Sequence, residues 1–298
     1  MVFTLALLAT FLPVSRLLPA ENVAPRAEGE LRVHFLSVGQ GDCALVEFPE
    51  GDGLLLDGGN GSFENNRRIT ALLEALRLRS LSLVATHADL DHYGGLAYVI
   101  KYFPVQTLYL PIMGSEQKAY LSLTETATAH GVQQKTLTRY GGFERESGVF
   151  LTCLSPYSME ETDENDASCV LYLSYAGVRI LFGADISAAR EERLLREYRT
   201  DPMIFSPEGH NVCLENITLI KASHHGSDGS SSQAWLNLLS PEFAVISSGR
   251  GNSYSHPTAG ALTRLADAGA QIYRTDELGR ITFSVSEAGY HIHYGGKA

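Results

Sequence analysis

Thr86-His87-Ala88-Asp89-Leu90-Asp91-His92-Tyr93-Gly94-Gly95 sets four metal-capable side chains within the six residues from His87 to His92. They directly follow an apolar run, Leu81-Ser82-Leu83-Val84-Ala85-Thr86, which reads as a buried strand. Imidazole nitrogen and carboxylate oxygen together suit zinc, manganese or iron, whereas calcium takes oxygen alone. In an extended or turning segment, His87 and Asp89 point one way while Asp91 and His92 point another. One short stretch can therefore feed two adjacent metals. A surface loop capping a helix that starts near Leu96 is the plainer alternative. It gives no reason for two histidines and two aspartates at this density.

Three further stretches share the layout of an apolar strand with polar residues where it ends. Leu181-Phe182-Gly183-Ala184-Asp185 places a carboxylate there, and Leu219-Ile220-Lys221-Ala222-Ser223-His224-His225-Gly226-Ser227 a histidine pair. Val245-Ile246-Ser247-Ser248-Gly249 leads to a turn, Asn252-Ser253-Tyr254-Ser255-His256-Pro257, with another histidine. Ligands at neighbouring strand ends converge at one edge of the sheets, where α/β enzymes keep their sites. Taken singly, an Asp after a strand is more often a helix cap, and a histidine pair has ordinary structural uses. Taken with residues 87–92, the set points to a metal centre.

The 298-residue chain is 44% hydrophobic and 19% charged, enough to bury a substantial core. Alternating strands and helices from Leu31 onward, with no repeat or low-complexity tract, predict a single α/β domain with mixed sheets. Its first strands form a hairpin, Leu31 to Leu36 and Cys43 to Phe48, turning through Val38-Gly39-Gln40-Gly41-Asp42. A third strand, Gly53 to Leu56, ends in Asp57-Gly58-Gly59. Residues 1–30 are expected to stand apart as an apolar leader and polar linker before the domain at 31–298. Val2 to Pro19 is nearly all apolar, and is expected to be a signal peptide or the end of a membrane span. An extracytoplasmic or membrane-associated location, secreted or anchored through residues 1–20, follows from that reading. Cys43, Cys153, Cys169 and Cys213 lack CxxC spacing, so a zinc knuckle is not expected. The formal net charge of −11 argues against a generic basic cleft for duplex DNA. It leaves phosphate chemistry open, since divalent ions invert the charge of an acidic site.

These motifs resemble the metallo-β-lactamase superfamily, and within it the ComEC-type branch, the hydrolase domain of competence DNA-uptake proteins. Matching segments run in family order from about residue 31 to 285: Val38 to Asp42, Asp57-Gly58-Gly59, the HxDxDH stretch, Asn165-Asp166-Ala167-Ser168, Gly183-Ala184-Asp185, Ser223 to Ser227, Asn252 to Pro257, and Arg274-Thr275-Asp276 with Gly279. The resemblance implies an αββα four-layer sandwich carrying a dinuclear centre of zinc or manganese. It implies that His87 and Asp89 hold one metal, that Asp91 and His92 hold the other, and that Asp185 bridges them. His225 is the best match to the final ligand; His224 beside it is a candidate for substrate contact or proton transfer, and sequence does not separate the two. Asp91 is expected to orient the attacking water, and His256 to contact phosphate or protonate a leaving group. Asn165, Ser168, Ser227 and Asn252 are candidate substrate contacts, and Asp57 a candidate partner behind a histidine ligand. Asp89 replaces the superfamily's usual second histidine, and a separate histidine between this stretch and Asp185 is missing. Both departures make the first position oxygen-rich and bring manganese into play.

The expected activity is a metal-dependent phosphodiesterase or nuclease of the ComEC type acting on single-stranded DNA or another phosphodiester. An extracytoplasmic hydrolase of a small phosphoester is the alternative, and a non-catalytic metal- or DNA-binding module ranks behind both.

Overall fold

A computed structural model describes residues 23–156 and 163–295. The apolar leader expected at residues 1–20 lies outside them. No helix among the described residues is long and apolar enough to cross a membrane.

The first half of the chain runs β1 (Leu31–Phe35), β2 (Ala44–Glu47), β3 (Gly53–Leu56), α1 (Phe63–Leu76), β4 (Leu81–Val84), α2 (Leu90–Tyr93), α3 (Leu96–Tyr102), β5 (Val105–Pro111), α4 (Lys118–Ala129) and β6 (Gln133–Leu137). The second half runs β7 (Gly142–Glu144), β8 (Phe150–Ser155), β9 (Val170–Tyr175), β10 (Val178–Phe182), α5 (Ala188–Thr200), β11 (Leu219–Lys221), α6 (Gln233–Leu239), β12 (Phe243–Ile246), α7 (Ala259–Asp267), β13 (Gln271–Arg274), α8 (Thr275–Leu278), β14 (Ile281–Ser286) and β15 (Gly289–Tyr294).

An eight-stranded sheet has the order β15-β14-β1-β2-β3-β4-β5-β6, and a seven-stranded sheet the order β13-β12-β11-β10-β9-β8-β7. Each is mixed. In the first, β3 to β6 are parallel; in the second, β10 to β13 are. The expected β1–β2 hairpin forms, with Val33 opposite Val46. The sheets face each other across a core that includes Phe35, Val46, Leu171, Ile180, Val245 and Phe283. Leu45, Leu55 and Leu83 point the other way, toward α1, α3 and α4. Leu181, Ile220 and Ile246 point toward α5, α6 and α7. Strand alternation thus builds three apolar layers out of two sheets, and the αββα sandwich is the result.

Local chemistry fixes the boundaries. Ser62, Ser187, Ser232 and Thr258 cap α1, α5, α6 and α7, each accepting a backbone N–H three residues on. Strands β9 and β10 meet through Ala176 and Gly177, both with positive φ, as tight hairpins require. Strand β7, short and largely exposed, carries no apolar alternation and was not anticipated. The segment expected as a polar linker is fastened where it is described: Arg26 pairs with Glu47 at 3.1 Å, and Tyr175 donates to the Gly29 carbonyl at 2.6 Å.

Because the central strands of each sheet are parallel, β4, β10, β11 and β12 all deliver their C-terminal ends to one edge. Every metal-capable stretch noted above lies there.

Candidate metal centre

Three backbone hydrogen bonds stitch the loops at this edge together. Asp42 N–H donates to the Asp91 carbonyl, Gly58 to the His92 carbonyl and Gly59 to the Asp42 carbonyl, at 3.2, 2.6 and 2.8 Å. Gly41 makes the first possible: its φ is +129°, and a Cβ there would collide with the Asp91 carbonyl. Asp89 itself is extended, and the chain turns helical directly after it as α2. That change of conformation swings Asp91 and His92 inward. His224 and His225 both take left-handed backbone, at φ 50° and 54°, a costly conformation for residues other than glycine. It sends the two rings to different places, His225 inward and His224 to the rim.

His92 Nε2 lies 3.3 Å and His225 Nε2 3.2 Å from the same Asp185 Oδ2, and His225 Nε2 lies 3.4 Å from Asp91 Oδ2. His87 Nε2 is 3.6 Å from Asp89 Oδ2, and its ring lies 4.0 Å from that of His92. The Nε2 atoms of His87, His92 and His225 and the Oδ1 atom of Asp185 are buried without a hydrogen-bond partner among the described residues. Orphaned buried nitrogens facing carboxylates are expensive unless a cation joins them. The spacing agrees, since ligands about 2.0–2.1 Å from a tetrahedral ion stand roughly 3.3 Å apart. The residues present fit a divalent metal.

Asp42, His92, Asp185 and His225 also form a buried cluster whose ligand-type atoms all lie within 4.8 Å of one another. Within it, Asp42 stands on the opposite side of the rings from Asp185. It meets Nδ1 of His225 at 3.3 Å and Nδ1 of His92 at 3.9 Å. His92 Nδ1 is bonded to Asp57 Oδ2 at 2.8 Å, and His225 Nδ1 to the Ser247 carbonyl at 3.0 Å. Asp57 in turn accepts from the backbone N–H and hydroxyl of Thr86. Each inner imidazole is thus held from behind with Nε2 aimed forward, the arrangement found around metal-bound histidine. Asp42 belongs to that supporting layer, where its carboxylate forms an ion pair with the buried Lys221 ammonium. Lys221 also lies 3.8 Å from Asp185 Oδ1 and donates to the Ala184 carbonyl at 3.4 Å.

Burial pushes the Asp42 and Asp185 carboxyls up. It is outweighed by Lys221 and the two imidazoles at Asp42 and by the imidazoles at Asp185, so both carboxyls fall well below the usual range. Burial pulls the His92 and His225 imidazoles down, but Asp185 and the carboxylates behind them raise both well above it. His224 is depressed by burial, although Asp185 opposes the shift.

At the rim, His224 Nε2 lies 3.9 Å from Asp185 Oδ2, and its ring lies 5.7 Å from that of His256. The Asn165–Ser168 turn is tied to the metal-capable stretch by the Cys169 N–H bond to the Thr86 carbonyl; Asn165 Oδ1 and Ser168 Oγ are buried without a hydrogen-bond partner among the described residues. Two of the expected substrate contacts, Asn252 and Ser227, also hold their own loops. The Asn252 amide builds its own loop, bonding Gly249, Tyr254 and His256, and Ser227 Oγ accepts from the Gly229 N–H. Asp42 and Lys221 were assigned no role from sequence. A lysine closing the apolar run Ile217 to Ala222 was the available signal.

Among solved structures, the fold is similar to Zn(2+)-bound PqqB from Methylobacterium extorquens, at 13% identity and a TM-score of 0.50, over 82% of this chain and 97% of that one. It is also similar to CmlA, a diiron β-hydroxylase from Streptomyces venezuelae, at 12% identity and a TM-score of 0.50, over 87% and 55%. Curated relatives include Competence protein ComA of Neisseria gonorrhoeae, 30% identical over 262 residues, or 88% of this chain and 33% of the relative. ComE operon protein 3 of Bacillus subtilis (strain 168) is 26% identical over 277 residues, or 88% and 34%. The chain therefore spans about a third of the length of these relatives, and they bear out its ComEC-type resemblance. With the Metallo-beta-lactamase superfamily model matching residues 36–250 and the sandwich and metal-capable edge in place, this chain belongs to the metallo-β-lactamase superfamily.

Proposed function

We propose that the chain is a metal-dependent phosphodiesterase that cleaves single-stranded DNA, with two divalent ions, zinc or manganese, as cofactors. The observation that carries the reading is the convergence of orphaned Nε2 atoms and carboxylate oxygens on Asp185. The competence relatives supply the nucleic-acid context. His92, Asp91 and His225 would hold one ion, His87 and Asp89 the other, with Asp185 shared. Divalent ions there supply Lewis acidity and lower the pKa of a hydrolytic water toward neutrality.

The chain's own residues do the rest. Asp91, one-third exposed at the mouth of the site, accepts a hydrogen bond from the attacking water and sets its line of approach. The water oxygen bonds to phosphorus as one P–O ester bond breaks, and the departing alcohol takes up a proton in place of the one the water loses. His224 and His256, both depressed by burial, are neutral near pH 7 and each retains one N–H donor for a phosphoryl oxygen. The supporting layer of Asp57, Asp42 and Lys221 keeps the rings fixed throughout.

Hydrolysis of a small phosphoester is the second reading, favoured by the −11 charge. Assaying the purified chain with manganese or zinc on single-stranded DNA and on bis(p-nitrophenyl) phosphate separates the two. Cleavage of both supports the first reading; turnover of the small ester alone refutes it. A secreted or membrane-anchored location, and a place in DNA uptake, are parts of the same proposal.

A further inference from the structure

Tyr254, two residues before the rim histidine His256, is 65% exposed. It stacks on His256, with centroids 5.8 Å apart and planes 25° from parallel. His256 meets His224 edge-on at 5.7 Å, and His224 meets His225 at 6.1 Å. A ladder of rings therefore runs from an inner ligand candidate out to solvent, ending in an open aromatic face. The loop holding it is built rather than loose, since four hydrogen bonds to Asn252 set the path from Gly249 to His256. Leu90, between Asp89 and Asp91, is 48% exposed.

A chain with a net charge of −11 gains little long-range attraction for a polyanion. Proteins that hold single strands without sequence preference draw much of their affinity from bases stacked on aromatic rings. We infer that the open face of Tyr254 is a stacking platform for a nucleobase of a single strand whose scissile phosphodiester lies over Asp185. The inference rests on the phosphodiesterase reading. It adds a base-recognising subsite that a small phosphoester would not occupy.

The test uses the metal-loaded full chain and two oligonucleotides of one sequence, one intact and one with abasic spacers around the cleaved bond. Tyr254→Ala raises KM for the intact strand about tenfold or more, equivalent to about 1.4 kcal/mol, with a smaller effect on kcat. Tyr254→Phe stays within about twofold of wild type, because the π face is kept. The abasic strand weakens wild-type binding by a similar factor, and the two losses do not add. An unchanged KM in Tyr254→Ala, or an equal further loss on the abasic strand, overturns the subsite while leaving the phosphodiesterase intact. If no oligonucleotide is cleaved while bis(p-nitrophenyl) phosphate is, the nuclease reading and the subsite fall together.

Discussion

Lys221→Met removes the buried ammonium that pairs with Asp42, in a cluster that also contains Asp57 and Asp185. Its side chain is 4% exposed and that of its partner Asp42 is 9% exposed, so neither is reached by bulk water. Breaking a buried pair by deleting one member costs about 3–5 kcal/mol, because the survivor stays buried and uncompensated. Asp42 cannot turn away to water, being fixed beside His225 and His92 and bonded through its backbone to Asp91 and Gly59. The loss should appear in the stability of the metal-free protein. It should not appear as weaker metal binding by the folded fraction, since a positive charge 3.8 Å from Asp185 has been removed. Denaturant unfolding in the presence of a chelator measures the first quantity, and calorimetric metal titration the second. Adding Asp42→Asn to Lys221→Met deletes the stranded charge and should restore part of the stability. A loss under about 1 kcal/mol in the single variant, far below the range for a broken buried pair, refutes the reasoning. So does a double variant no more stable than the single one.

Three other perturbations follow from the same geometry. Metal binding requires neutral imidazole, and the carboxylates around His92 and His225 raise both above their ordinary range. Protons must therefore leave as metal enters, so calorimetric affinity should fall as pH is lowered from about 8 to 6; a pH-independent Kd contradicts this. Gly41→Ala drives a methyl group into the Asp91 carbonyl at φ +129°, and should cost about 1–3 kcal/mol in thermal unfolding and lower metal occupancy; normal occupancy would show that the Asp91 loop yields. Glu191 accepts the Ser231 and Ser232 N–H groups, and burial raises its pKa to about 7 from 4.5. The stability it contributes is full below pH 4.5 and lost as pH rises through 7, a change of roughly 3 kcal/mol at 1.36 kcal/mol per unit. Glu191→Gln should flatten that decline in a pH series of unfolding curves, and an unaltered slope would contradict it.

The metal-capable stretch was legible because its candidate ligands lie close together in sequence, behind a strand that announces itself by apolar content. Asp57 was legible for a related reason: it ends the neighbouring strand, and a histidine ligand needs an acceptor behind it. Asp42 and Lys221 were not, because the turn between β1 and β2 and the end of β11 come from different sheets. Only the packing of one sheet on the other brings their charges together, and neither local propensity nor spacing encodes that. Sequence favoured His225 over His224 as the ligand but did not separate their roles. Their separation comes from two consecutive left-handed residues with no glycine between them to mark the turn. Nor does spacing reveal that the Asn252 amide completes its own loop, because its partners Gly249 and His256 meet it only once the turn is folded.

The orphaned atoms around Asp185 are placed to hold ions. The number of divalent ions retained per chain after loading with manganese or zinc and desalting measures this directly, with Asp185→Asn as the comparison. Two ions in the wild-type chain and a clear loss in Asp185→Asn are predicted. A wild-type chain that retains none, or an Asp185→Asn chain that retains both, would contradict it.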